Sequence, residues 1–214
     1  MNFNIIIESK FMKNAPANMI LVSEFTPLEN KYNETVKLIK NMTSNKIESC
    51  VYISEDEKSI LEIKRISALS DIDSSYLFDT KEFNKNLASD IQRQVLRLEN
   101  IVKPQESILP ESKYLQLRHI EVPLHILEEY HTWREQTIFS YVVKQPEIES
   151  FLAYHSIIST DPGVMFLSGF SCKIDDYLSG FKKPAYIDIV KQAGEKYIFG
   201  GQSGLYTKIY KKLD

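Results

Sequence analysis

The chain has 214 residues, 43% of them hydrophobic and 26% charged, with a formal net charge of −3. These figures describe an ordinary globular protein, give no footprint for nucleic acid, and leave room for one large domain or two fused small modules. The apolar run Ile5-Ile6-Ile7 near the start has no basic segment ahead of it, so neither a signal peptide nor a membrane span is expected and a cytoplasmic location is the default.

Residues 1–18 stand apart from the patterns that follow, and Met1–Ile7 reads as an extra edge strand or a frayed arm. A strand-like stretch then ends at Glu24-Phe25-Thr26-Pro27-Leu28, whose proline can open a helix running to about Met42. Glu48-Ser49 leads into a strand at Cys50–Ile53, and Glu55-Asp56-Glu57-Lys58 is a polar turn. Ser59–Ile66, SILEIKRI, alternates apolar and polar residues as a returning strand does. Leu69, Ile72, Tyr76, Leu77, Phe83 and Leu87 give 69–90 a loose helical pattern before Ile91–Val102 turns strand-like again. The segment 103–112, KPQESILPES, carries two prolines and little periodicity, so it reads as a linker.

The same order then returns about a hundred residues later. Ile120-Glu121-Val122-Pro123-Leu124 opens a helix to about Gln145, and Glu149-Ser150 leads into Phe151–Tyr154. The turn is Ser159-Thr160-Asp161-Pro162-Gly163, and Val164–Phe170 returns. Residues 175–198 predict two helices divided at Lys182-Lys183-Pro184. The glycines of 194–204 end the second one, and Leu205–Tyr210 closes as a strand.

Residues 19–102 and 113–214 thus each spell β-α-β-β-α-β, a ferredoxin-like unit of the α+β class with helices on one face of an antiparallel sheet. The second face also needs cover. Phe151, Ala153 and Ile157 lie on one parity of their strand and Leu152, Tyr154 and Ile158 on the other, so both sheet faces are expected to be buried. Two such sheets in one chain can pack face to face as a closed or half-closed barrel with the helices outside.

In this element order, and in segments such as VYISEDEKSILEIKRI, residues 19–212 resemble the dimeric α/β-barrel superfamily, which includes antibiotic-biosynthesis-monooxygenase-like, haem-degrading and chlorite-dismutase-like proteins. The resemblance implies an apolar pocket between sheet and helices for a flat or aromatic ligand. Its members range from cofactor-independent oxygenases and haem enzymes to proteins without established activity, so fold leaves function open. The chain does not match the asparagine, tryptophan and histidine set that haem degradation requires.

Candidate site residues follow from two segments. On the helix from Pro123, the stretch EEYHTWREQTIF places Tyr130 and Trp133 on one stripe and Arg134 on its neighbour; they can line a cavity in which Arg134 holds a carboxylate, or they can be core. His131 falls toward the solvent side. In the strand FLAYHSII, His155 shares the parity of Phe151 and Ala153, where burial favours the neutral ring that a general base or an axial haem ligand needs. The alternative is a core histidine bonded to backbone or to Ser168. His119 shares the parity of Leu115 and Leu117, and two inward rings could share a pocket. His119 and His155 are therefore the catalytic candidates, and Tyr130, Trp133, Arg134, Tyr154 and Ser168 the ligand-binding ones.

No P-loop, nucleophile elbow or HExxH is present, and Cys50 and Cys172 lack metal-ligand or redox spacing. The expectation is a monooxygenase-like enzyme acting on a small aromatic or polycyclic molecule. A haem-binding protein and a non-catalytic ligand-binding module are the alternatives, in each case as a monomer or homodimer.

Overall fold

A computed structural model describes residues 15–43, 48–68, 72, 81–158, 163–200 and 205–213. The expected strands at Met1–Ile7, most of the helical pattern at 69–90 and the turn at 159–162 lie outside them.

Eight strands run β1 (Met19–Phe25), β2 (Ser49–Ser54), β3 (Ile60–Ile66), β4 (Gln92–Lys103), β5 (Tyr114–Ile120), β6 (Ser150–Ile158), β7 (Val164–Phe170) and β8 (Leu205–Lys212). They close into an antiparallel barrel in the order β1-β3-β2-β8-β5-β7-β6-β4. Each half contributes the ferredoxin-like order β4-β1-β3-β2 or β8-β5-β7-β6, and the halves join where β2 meets β8 and β4 meets β6. At twelve residues, β4 is long enough to pair with β1 through Gln92–Arg97 and with β6 through Val95–Lys103. Three register irregularities along the second pairing bend it from one sheet into the other.

The β2–β3 turn shows how local chemistry sets register. Ser54 Oγ donates to Asp56 Oδ1 (2.7 Å) and accepts from the backbone N–H of Lys58 (3.1 Å) and Ser59 (2.9 Å), while Glu57 takes φ 53°.

All eight strands send side chains into the lumen. Ile20, Val22, Tyr52, Leu61, Ile63, Leu96, Leu115, Leu117, Leu152, Tyr154, Met165, Leu167 and Tyr210 form one buried cluster there. The segment between β4 and β5 closes one end: Leu109 is buried in that cluster with Ala17, and Ile108 packs against it. Two lumen tyrosines anchor this plug. Tyr52 donates to the carbonyls of Pro110 and Ser112 (3.0 and 3.1 Å), and Tyr154 to that of Ala17 (3.1 Å).

Helices cover the outer face. In the first half these are α1 (Tyr32–Thr43), which buries Thr35 and Ile39 one turn apart, and the short α2 (Lys81–Asn84). Pro27-Leu28 does not open α1; Pro27 instead bridges Leu87, and the helix begins at Tyr32.

In the second half, a 3₁₀ turn (Leu124–Ile126) leads into α3 (Leu127–Arg134), which continues through a π-helical turn (Glu135–Phe139) into Ser140–Val142. This interruption corrects the expected uniform helix to Gln145. The buried side chains are Tyr130, Arg134, Ile138, Phe139 and Val142, while Trp133, Thr137 and Tyr141 sit at the margin. The remaining helices are α4 (Ile174–Phe181) and α5 (Pro184–Lys196). Gly194 falls inside α5 and does not end it; the positive φ of 70° belongs to Gly200.

Among the described residues no helix is long and apolar enough to cross a membrane.

Candidate functional site

The residues singled out from the sequence occupy three separate places. Tyr154 and His119 point into the lumen. Tyr154, 2% exposed, is committed to the plug. His119 lies toward the opposite end, its ring 4.5 Å from that of Tyr206. There Tyr206 donates to Glu24 (3.2 Å), and Lys208 forms an ion pair with Glu24. His119 Nδ1 is sealed from solvent without a hydrogen-bond partner, and burial, helped by Lys208, holds the ring down at about pKa 4 against the opposing pull of Glu24.

His155 lies on the other side of the sheet. Residues 151, 153 and 155 face outward, toward the helices, and the imidazole Nδ1 lies 2.9 Å from the carbonyl of Ser156 at the strand end. The two histidines therefore share no pocket, because β5 and β6 present them on opposite faces. Nor does His155 meet Ser168: its partner on β7 is Val164, and Ser168 pairs with Phe151. Ser168, 1% exposed, instead lies 2.9 Å from the Tyr177 hydroxyl, which donates to Gln116 Oε1 (3.0 Å).

Arg134, 1% exposed, spends one nitrogen inside the protein. Its Nη2 donates to Glu99 Oε2 (2.9 Å) and Asn100 Oδ1 (2.8 Å), clamping α3 to β4. Its guanidinium also lies 5.7 Å from the Tyr130 ring and 5.3 Å from that of Phe139. The carboxylate that the sequence assigns to a ligand is here Glu99. His131 Nε2 stands 3.7 Å from the same carboxylate, and burial followed by the nearby Arg134 charge lowers its pKa. Trp133 packs 4.9 Å from Tyr197, the rings tilted by 34°, and bonds weakly to Gln192 (3.4 Å) at the edge.

A cavity lies in the sheet–helix layer that these residues border. It is mostly apolar, about 20 Å³ in volume, and is walled by Ile120, Ile138, Phe166, Ala193 and their neighbours, with Tyr130, Tyr186 and Arg118 as its polar members. That volume holds roughly one water molecule. Tyr130 is fully buried, and its hydroxyl is sealed with no hydrogen-bond partner; burial pushes its pKa up, so it is a phenol.

Arg118 projects outward from β5 between the rings of Phe181 (5.3 Å) and Tyr186 (5.5 Å). The residue as a whole is half-buried, but its Nε is sealed and unpartnered. On the far side of Val190, Ile198 and Leu205 lies a more open apolar groove of about 480 Å³ along α5. Those three residues line both spaces and form the wall between them.

Arg118, Gln116, Tyr177 and Ala193 are absent from the sequence-derived set. The signal in the sequence is a charge, Arg118, on a strand whose two faces both need covering.

Haem does not fit this site. No histidine lines the cavity or the groove beside it, and the two candidate axial histidines face opposite sides of the sheet.

No family model and no curated protein sequence matches the chain. Solved structures do. An anthrone oxidase-like protein superposes with a TM-score of 0.71 at 12% identity, over 92% of this chain and 91% of its own. A ferredoxin-fold protein from Listeria monocytogenes related to antibiotic biosynthesis monooxygenases gives 0.54 at 10% identity, over 97% and 99%. A chlorite dismutase from Candidatus Nitrospira defluvii gives 0.59 at 12%, over 92% of both chains. At such identities the likeness is one of fold.

Proposed function

Given that the chain has the fold of the dimeric α/β-barrel superfamily, with its monooxygenase-like members, we propose that it is a monooxygenase-like protein that takes a small aromatic or polycyclic molecule between sheet and helices of its second half. The observation that carries this reading is the apolar groove of about 480 Å³ along α5, large enough for such a molecule and backed, across Val190, Ile198 and Leu205, by the small cavity into whose wall the fully buried Tyr130 brings a hydroxyl with no partner. A buried polar group left unbonded costs about 1–3 kcal/mol, and a ligand oxygen supplies the missing partner. The lumen is occupied by the side chains of all eight strands, which favours the outer layer. The base for any proton abstraction falls to His155, on the same outer face as Tyr130, because His119 lies across the sheet.

One observation favours a second reading, a non-catalytic binding module: neither a carboxylate nor a histidine lines the cavity. A single experiment separates the two. Anthrone, a tricyclic ketone suggested by the anthrone oxidase-like neighbour, is titrated against the emission of Trp133, the only tryptophan, while oxygen uptake is followed. Quenching with uptake that His155→Ala abolishes supports the enzyme; quenching without uptake supports the module. Gly194→Leu, which projects a side chain into the groove, is expected to remove the quenching in either case. If no aromatic ligand binds to the folded protein, the pocket reading falls.

Edge pairing is satisfied within one chain, so a monomer in sedimentation is the expected state. Two free cysteines accord with the reducing cytoplasm.

A further inference from the structure

Arg118 has no carboxylate partner among the described residues. Its one polar side-chain contact is long, Nη2 to Gln116 Oε1 at 3.5 Å, and that carbonyl already accepts the shorter bond from Tyr177. Phe181 and Tyr186 hold the guanidinium in place through ring contacts that themselves use none of its hydrogen-bond donors. Arg134 differs, because Glu99 neutralises it. Around the cavity the unmet groups are therefore donors: Arg118 Nε and the Tyr130 hydroxyl, with Arg134 Nε and Nη1 also sealed and unpartnered beside Tyr130. A site in which a cation has no balancing carboxylate and a buried O–H is free to donate is complementary to an anionic oxygen. The rest of the wall is aliphatic or aromatic, which fits an apolar body.

We propose that the ligand is an aromatic acid whose ring lies in the groove along α5 and whose carboxylate is held by Arg118 and the Tyr130 hydroxyl, the side chains of Val190, Ile198 and Leu205 moving aside to admit it. This rests on the pocket reading above and adds the charge of the ligand to it. Arg118 acts here as a binding residue, and its planar fork suits a two-point contact with a carboxylate.

The test uses 2-naphthoate and its neutral counterpart 2-naphthalenemethanol, titrated calorimetrically into the intact protein. Wild type is expected to prefer the acid by tenfold or more. Arg118→Gln is expected to erase that preference while leaving the alcohol within about threefold of its wild-type affinity, and Arg118→Lys to retain part of it. Tyr130→Phe weakens the acid more than the alcohol. Equal binding of both probes by wild type overturns the anion inference and leaves the pocket standing, whereas failure of both probes to bind overturns the two together. A preference for the acid that survives Arg118→Gln removes Arg118 from the role. If Arg118→Gln does not fold, as judged by circular dichroism, the Arg118→Lys comparison decides: an unchanged preference together with no loss of affinity at high salt counts against the proposal.

Discussion

Replacing Arg134 by methionine removes the clamp between α3 and β4 while keeping most of the side-chain volume. Two hydrogen bonds disappear, those at 2.9 Å to Glu99 and 2.8 Å to Asn100, and the contacts with the Tyr130 and Phe139 rings lose their charge. Hydrogen bonds to charged groups contribute roughly 1.5–3 kcal/mol each, and removing one member of a buried pair costs about 3–5 kcal/mol. Glu99, at 18% side-chain exposure, can recover some hydration, which places the loss near the lower bound, at about 3 kcal/mol. At about 2–4 °C per kcal/mol for a chain of this length, Tm falls by about 6–12 °C. The assay is chemical denaturation of Arg134→Met, Glu99→Gln and the double variant. The double variant should recover about 1 kcal/mol relative to the sum of the single losses, because the carboxylate is no longer stranded. A loss below about 1 kcal/mol for Arg134→Met, or strict additivity in the cycle, refutes the clamp.

Three further outcomes follow from geometry. Gly169→Ala puts a Cβ 2.5 Å from Ser112 Oγ, 2.6 Å from Ser150 Oγ and 3.1 Å from Ser112 Cβ. A loss of about 1–3 kcal/mol is expected in denaturant melts, reduced when Ser112→Gly is added, and a neutral Gly169→Ala contradicts the packing. Tyr52→Phe removes the phenol that bonds two plug carbonyls and should cost about 1–2 kcal/mol while speeding proteolysis within 103–113; unchanged cleavage argues against the plug. For His119 the folded pKa of about 4 lies below the unfolded value near 6.5, so the unfolded chain takes up the proton first. Its contribution is complete above pH 6.5 and declines as pH falls toward 4. His119→Gln should flatten the denaturation midpoint across that window, and an unaltered slope rejects the assignment.

The barrel was readable from sequence because strands of both halves repeat in the same order, and because FLAYHSII and VMFLSGF are apolar on both parities, which requires two covered faces. Which face was inner was not readable. Parity puts His119 and Leu117 together and His155 and Ala153 together, yet nothing local says that the first pair faces the lumen and the second the helices; that depends on how two sheets meet. The π turn escaped for a related reason. EQTIF has ordinary helix formers, and the extra residue in the turn accompanies the burial of Arg134, Ile138 and Phe139 against the sheet, a tertiary effect. Tyr130 and Arg134 were found because large amphipathic side chains on a helix are conspicuous. Arg118 was hidden in a strand where Leu115 and Leu117 carried the visible pattern.

The barrel closes through a pairing of Tyr52–Ser54 with Tyr210–Lys212, residues separated by most of the chain. During synthesis the first half therefore waits with β2 bare along one side and β4 along the other, two templates open to any stray strand. A closure of such high contact order makes folding slow, and aggregation competes with it until β8 has been made. A fragment ending at Lys103 should accordingly be far less soluble than the full chain, although each of its strands already has a neighbour within its own half.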